Sequence, residues 1–250
     1  TVTTVYNCTV TSQGTTPCSG VLTTTVTVLP SPTVTATSAT VCVGQGGTLT
    51  ASGASTYTWS PATGLSSTTG ATVTATPSVS TNYTVTGSNG SCATTGTCAV
   101  TVIPTPTVTV NSPTICVNNT VTLNASGATA YSWTPGTGLS ATTGSTVIAS
   151  PTVTTTYTII GTSGSCTTTA TSTVTVNPTP TVTVNSPTKC KNASVALNAS
   201  GASTYTWAPA TGLSATTGST VTSSVTVTTV YTITATSAAG CTTTATSTVT

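Results

Sequence analysis

Aspartate, glutamate and histidine are absent from all 250 residues, as are methionine and phenylalanine. Lysine and arginine together number two, so 1% of the chain is charged and the formal net charge is +2. Ordinary soluble domains are about 25% charged, and the deficit excludes whole classes of function. General acid–base catalysis draws on side chains that titrate near working pH, chiefly His, Asp and Glu. A calcium cage needs carboxylate oxygens, and a zinc site built from cysteine alone needs four thiolates held close together, which the wide cysteine spacing does not suggest. Two positive charges make no nucleic-acid footprint. No apolar run approaches the roughly 20 residues of a membrane-spanning helix. The chain is therefore expected to be no enzyme and to use no cofactor, metal or nucleic acid.

What is present is threonine alternating with valine. Both branch at Cβ, which suits a pleated strand, and no stretch shows helical periodicity. The landmarks recur. Trp59, Trp133 and Trp207 stand 74 residues apart, as do Cys42, Cys116 and Cys190. Cys92, Cys166 and Cys241 are separated by 74 and 75, and Leu65, Leu139 and Leu213 by 74 each. A period of this length marks an array of small units. Pro30-Ser31-Pro32, Pro104-Thr105-Pro106 and Pro178-Thr179-Pro180 divide it. Paired prolines extend and stiffen a joint, so semi-rigid connections are expected. Residues 1–29 read as the C-terminal part of a preceding repeat, with Cys18 in register with Cys92. Residues 30–103, 104–177 and 178–250 read as three full repeats. Nothing at Thr1 resembles a signal peptide. Both ends lie out of phase with the repeat, as expected of a window on a longer array.

In the third repeat the alternation predicts strands over 181–184, 194–198, 204–207, 219–223, 230–236 and 242–250, with Tyr205 and Trp207 on one face. Six or seven short strands per repeat, with a tryptophan on the third, predict an all-β chain of tandem Greek-key (immunoglobulin-like) β-sandwich repeats of about 74 residues. With no Phe or Met available, Trp59, Trp133 and Trp207 are expected to plug the cores. The competing assignment is a sugar-stacking platform formed with Tyr57 and its equivalents.

Nine cysteines imply an oxidising compartment, and the odd number leaves at least one without a partner in this chain. Two pairing schemes are open. One stays within repeats: Cys42–Cys92, Cys116–Cys166 and Cys190–Cys241. In a Greek-key sandwich, however, the A–B turn and the F–G turn lie at opposite poles, farther apart than the about 7 Å a disulfide tolerates between Cα atoms. The other scheme therefore clasps junctions, Cys42–Cys166 and Cys116–Cys241. Cys8 and Cys18 bracket a Gln13-Gly14 turn and are candidates to pair across their hairpin. Cys98 shares a face with Val100 and Val102, as a buried free thiol would. Lys189 and Lys191 flank Cys190 and would favour its thiolate, yet its place in the periodic series assigns it to a disulfide. Seven Asn-x-Ser/Thr sequons, at Asn7, Asn82, Asn89, Asn118, Asn124, Asn192 and Asn198, are expected by chance in so Thr-rich a chain.

The string Cys-x6-Leu-Thr-x-Ser-Gly-Ala-x-x-Tyr-x-Trp-x-Pro, followed by Gly-Leu-Ser, spans residues 42–66 in the first repeat. With Thr-x-Tyr-Thr-(Val/Ile) and the later cysteine, it resembles the immunoglobulin-like and PKD-like repeats of giant cell-surface proteins in gliding, Bacteroidetes-type bacteria. That resemblance implies export, by the type IX route, to the cell surface, and roles in gliding, adhesion or extracellular fibres. Such repeats often carry Asp in the F–G turn, where this chain has Ser88-Asn89-Gly90, so calcium dependence is not expected to carry over.

The expected function is a structural segment of an extracellular surface fibre or adhesin stalk, semi-rigid and disulfide-bearing, assembled in a filament. Its partners would be copies of itself or neighbouring repeats, and surface glycans. The alternatives are a carbohydrate-binding adhesin repeat, which needs an exposed Trp59, and an ice-binding surface, which needs a flat, contiguous Thr face.

Overall fold

The computed structural model describes residues 1–16 and 18–250. Strands β1 (Val2–Thr11) and β2 (Ser19–Val28) form an antiparallel hairpin, with Val2 opposite Val28 and Thr11 opposite Ser19. A sandwich follows, built from β3 (Thr35–Ala36), β4 (Ala39–Cys42), β5 (Gly47–Ser52), β6 (Thr56–Ser60), β7 (Thr72–Ala75), β8 (Thr81–Asn89) and β9 (Cys92–Ile103). One sheet has the order β3-β5-β7 and the other β4-β9-β8-β6. β4 runs parallel to β9, and the other pairs are antiparallel.

The plan recurs with β10 (Thr109–Val110), β11 (Thr114–Cys116), β12 (Val121–Ser126), β13 (Ala130–Thr134), β14 (Thr146–Ala149), β15 (Thr155–Ser163) and β16 (Cys166–Asn177). Their sheets are β10-β12-β14 and β11-β16-β15-β13. It recurs again with β17 (Thr183–Val184), β18 (Val195–Ser200), β19 (Thr204–Ala208), β20 (Thr220–Ser223), β21 (Thr229–Thr236) and β22 (Thr242–Val249), in sheets β17-β18-β20 and β19-β21-β22. The chain is all-β, a tandem array of immunoglobulin-like sandwiches.

The expected first strand of each repeat is in fact two pieces. In the first two sandwiches β3 and β10 join one sheet, while β4 and β11 cross to the other. In the third, only the opening bonds of the parallel ladder form: Lys189 N–H donates to Thr250 O (2.8 Å) and Thr250 N–H to Pro187 O (3.2 Å).

Alternation explains the cores. In β5, Leu49 and Ala51 point inward while Thr48 and Thr50 face solvent, because successive side chains leave a strand on opposite faces. Among the described residues there are three separate clusters, centred on Leu49, Trp59 and Tyr83, on Leu123, Trp133 and Tyr157, and on Leu197, Trp207 and Tyr231. A glycine fixes each one. Gly53, Gly127 and Gly201 have φ of +96°, +96° and +99°, and a Cβ there would fall 1.8–1.9 Å from the carbonyl oxygen of Thr33, Thr107 or Thr181. The Ser-Gly-Ala of each repeat therefore tolerates no side chain at its centre.

Contacts divide the chain into two compact units. The first comprises Thr1–Thr105 with the hairpin tip Gly164–Cys166, and the second Pro106–Ser163 with Thr167–Thr250. The break falls inside Pro104-Thr105-Pro106, and the second unit holds two of the three cores.

Candidate functional site

Chemistry beyond packing concentrates at the cysteines. Each sandwich presents one at the end of an edge segment, Cys42 on β4, Cys116 on β11 and Cys190 in the third, and one at the tip of its last hairpin, Cys92, Cys166 and Cys241. The edge cysteines share a local geometry. The residue two positions later adopts a left-handed backbone, Gly44 (φ 80°), Asn118 (φ 68°) and Asn192 (φ 67°). That conformation is open to glycine and tolerated by asparagine. It closes a turn in which the N–H of Gln45, Asn119 or Ala193 bonds the carbonyl of Cys42, Cys116 or Cys190 at 2.9–3.1 Å. The turn aims each edge cysteine at the end of its own sandwich. Glycine or asparagine two places after a periodic cysteine is the sequence signal for this arrangement.

Two disulfides form, Cys42–Cys166 and Cys116–Cys241, each with Cα atoms 5.6 Å apart. Each joins an edge cysteine of one sequence repeat to the hairpin-tip cysteine of the next. The within-repeat pairings Cys42–Cys92, Cys116–Cys166 and Cys190–Cys241 are not formed. Cys42 lies opposite Ile103, the last residue of β9, whereas Cys92 is its first. A strand of 12 residues separates them, about 35 Å at roughly 3.3 Å per residue.

Cys8 and Cys18 do not bridge their hairpin either. Cys8 stands opposite Leu22, four positions along from Cys18. Cys18 instead exchanges bonds with Ser12, its N–H donating to Ser12 Oγ (3.1 Å) and the Ser12 N–H to its carbonyl (3.0 Å). Cys241 makes the same exchange with Ser237, at 3.1 and 2.8 Å. The free cysteines are thus Cys8, Cys18, Cys92, Cys98 and Cys190. Lys189, beside Cys190, donates from Nζ to Ala193 O at 2.9 Å.

The hairpin-tip sulfurs also share a setting. Cys166 Sγ lies 3.9 Å from Ile103 O and Cys241 Sγ 3.8 Å from Asn177 O, the carbonyls beside their disulfide partners. Cys92, still a thiol, lies 3.8 Å from Leu29 O, the equivalent carbonyl at the end of β2.

Apart from the exposed Tyr6, the aromatic residues are interior. Trp59, Trp133 and Trp207 are 3–4% exposed. Each donates its indole N–H to a loop carbonyl, Gly70, Gly144 or Gly218, at 2.8–2.9 Å. Tyr83, Tyr157 and Tyr231 are fully buried, with hydroxyls bonded to the carbonyls of Thr63, Thr137 and Thr211. Burial pushes the phenols of Tyr83 and Tyr157 above their ordinary value. It does the same to the thiol of Cys98, which faces Tyr83 across the ladder. Cys98 takes the place held in the other sandwiches by Ser172 and Ser247, whose hydroxyls bond Asn111 O and Asn185 O at 2.7 Å.

No family model matches the chain, and no curated protein matches it in sequence. Among solved structures it is similar to the I67–I69 fragment from the I-band of titin, at 14% identity and a TM-score of 0.50, covering 89% of this chain and 99% of that one. It is equally similar to a Glu-to-Ala variant of those three immunoglobulin domains, at 13% identity, a TM-score of 0.50 and the same coverage. Likeness at this identity speaks to fold, and the fold is that of tandem immunoglobulin-like domains.

Proposed function

We propose that this chain is a structural segment of an extracellular fibre or adhesin stalk at the cell surface, working in series with further repeats. The observation that carries the reading is the interleaving of the disulfides. The loop closed by Cys42–Cys166 overlaps the one closed by Cys116–Cys241. Two overlapping loops limit how far tension can draw the chain out. Main chain alone connects Cys42 to Cys241 through 199 residues, whereas the shortest covalent path through both disulfides uses only the 50 between Cys116 and Cys166. At roughly 3.5 Å per extended residue, the span drops from about 700 Å to about 175 Å. Stable disulfides also fit an oxidising, extracellular setting.

Assembly with copies of itself draws support from the surface. Two lysines in one segment are the chain's only charged side chains, where edge strands are ordinarily guarded by charge. Hydroxyls stand in ranks on the outer sheet of the third sandwich, Thr204, Thr236 and Thr242 in one and Thr206, Thr234 and Thr244 in the next. Such ranks favour lateral hydrogen bonding with a neighbouring chain.

Single-molecule extension tests the load-bearing role. The oxidised chain should stop lengthening near the shorter limit, and reducing agent should release the remainder. Equal extension of oxidised and reduced protein would remove the basis for a tension-bearing stalk, and failure of an antibody to the chain to stain intact source cells would remove the surface assignment.

A further inference from the structure

The last hairpin of the first sandwich turns at an asparagine followed by a glycine. Asn89 ends β8 and stands opposite Cys92, the first residue of β9, so the chain reverses through Gly90 and Ser91. Asn89 and Gly90 are both exposed. The corresponding tips of the second and third sandwiches, which follow complete repeats, are exposed at Gly164 and Gly240 as well, so the exposure belongs to the tip. Gly90 has φ +77°, and a Cβ built on it would meet nothing within 4 Å. Its N–H bonds no group among the described residues. No other asparagine in the sequence precedes a glycine.

The side-chain amide of Asn89 is held by its oxygen alone. Oδ1 accepts the Ser55 N–H at 2.7 Å and the Ser55 hydroxyl at 3.0 Å, and Nδ2 has no partner among the described residues. Two donors aimed at one carbonyl oxygen stabilise it most when negative charge develops there, as in a tetrahedral intermediate. The backbone nitrogen of the next residue is the nucleophile that can create that charge, and glycine, lacking Cβ, leaves it unshielded. Asn111 and Asn185 supply the contrast. Their Oδ1 atoms accept the N–H of Asn124 and Asn198, but their Nδ2 groups are tied to Thr122 O and Ala196 O at 3.0 and 2.9 Å, and each precedes a serine. In the second sandwich Ser163 stands before Gly164 and accepts the Thr129 N–H at 3.3 Å, the same loop contact without an amide.

We propose that Asn89 is a self-modifying site, at which the fold promotes conversion of the encoded amide into a carboxylate. The Gly90 nitrogen gives its proton to hydroxide and attacks Asn89 Cγ. A C–N bond forms, and the negative charge falls on Oδ1 against the two Ser55 donors. The Cγ–Nδ2 bond then breaks, and Nδ2 takes a proton from water and leaves as ammonia. A five-membered imide remains, which water opens at either carbonyl to give aspartate or its β-linked isomer. The product is the first acidic side chain in a chain without Asp or Glu, and it lowers the formal net charge of +2 by one. A carboxylate accepts hydrogen bonds as the amide oxygen does, so the aspartate product keeps both Ser55 donors.

The test incubates the intact oxidised chain in mildly alkaline buffer made with oxygen-labelled water and follows each asparagine by peptide mapping. Asn89 should convert and take up label well ahead of Asn111 and Asn185. Ser55 is exposed, so Ser55→Ala should fold normally, and it should slow conversion by about three- to tenfold, the scale of one hydrogen bond. In urea the native and Ser55→Ala chains should convert at the same rate, because the donor is then no longer held against Oδ1. Conversion of Asn111 or Asn185 as fast as Asn89, an undiminished rate in folded Ser55→Ala, or the same slowing in urea each overturns the proposal. None of these results bears on the extension limit set by Cys42–Cys166 and Cys116–Cys241, so the two readings fail separately.

Discussion

The hairpins β1–β2 and β8–β9 follow one pattern in two environments. Both alternate Thr with apolar residues, both place a tyrosine opposite a residue five positions before the last residue ahead of the Pro-x-Pro linker (Thr24 before Leu29, Cys98 before Ile103), and both pair antiparallel along their length. Yet Tyr6 is 57% exposed and Tyr83 not at all, and Val26 is 48% exposed where Val100 is fully buried. The hairpin itself is local, a product of alternation and a short turn. Burial depends on β5, β6 and β7, so the same apolar face is a core in one place and a surface in the other. A two-stranded sheet is marginally stable without a covering layer, which makes the β1–β2 hairpin the weaker of the pair.

The sharpest way to break the comparison is to truncate the matching tyrosines. Tyr83→Ala should destabilise the first sandwich by about 3–5 kcal/mol, through lost burial and the cavity left behind. Tyr6→Ala should change its unfolding free energy by less than about 0.5 kcal/mol, as a surface substitution does. Urea melts of the two variants read this directly, and equal losses would show that the β1–β2 face is covered in solution.

A smaller contrast separates the cysteines. Cys116→Ser opens a formed disulfide and should cost about 2–4 kcal/mol in an oxidised thermal melt. Cys92→Ser removes only a free thiol and should leave the melt unchanged. Smaller again is the hydroxyl of Tyr83. Tyr83→Phe leaves the Thr63 carbonyl without its donor and should cost about 0.5–1.5 kcal/mol, whereas Tyr6→Phe should be silent.

The smallest effect is on pH. With no Asp, Glu or His side chain in the sequence, the melting midpoint should stay flat between about pH 3 and 8. Above about pH 9 it should fall. Tyr83, Tyr157 and Cys98 are held neutral by burial, so their folded pKa values lie above the unfolded ones. The folded state then binds more protons than the unfolded, and stability is lost as pH rises past the unfolded pKa values, about 8.5 for Cys and 10 for Tyr. A shift of many degrees at acid pH would contradict this account.

Much of the fold is legible residue by residue. The strand expected over 204–207 is Thr204–Ala208, that over 219–223 is Thr220–Ser223, and that over 230–236 is Thr229–Thr236. The first strand is the exception. Its division into β3 and β4, on opposite sheets, leaves no trace in alternation, because both halves have the same composition and only the choice of neighbour differs. The left-handed residue after each edge cysteine is marked only by its recurrence, Gly or Asn two places on in every repeat, since an isolated Gly44 or Asn118 has many uses in a loop.

Composition and period together determined an all-β array of repeats, because strand alternation and 74-residue recurrence are properties of the chain taken in order. The same sequence left Cys42 with two possible partners, 50 and 124 residues away. Tertiary structure decided between them. A disulfide depends on where two Cα atoms stand, and the 12 residues of β9 hold Cys92 at the far end of the sandwich from Cys42. The longer separation in sequence became the short distance in space.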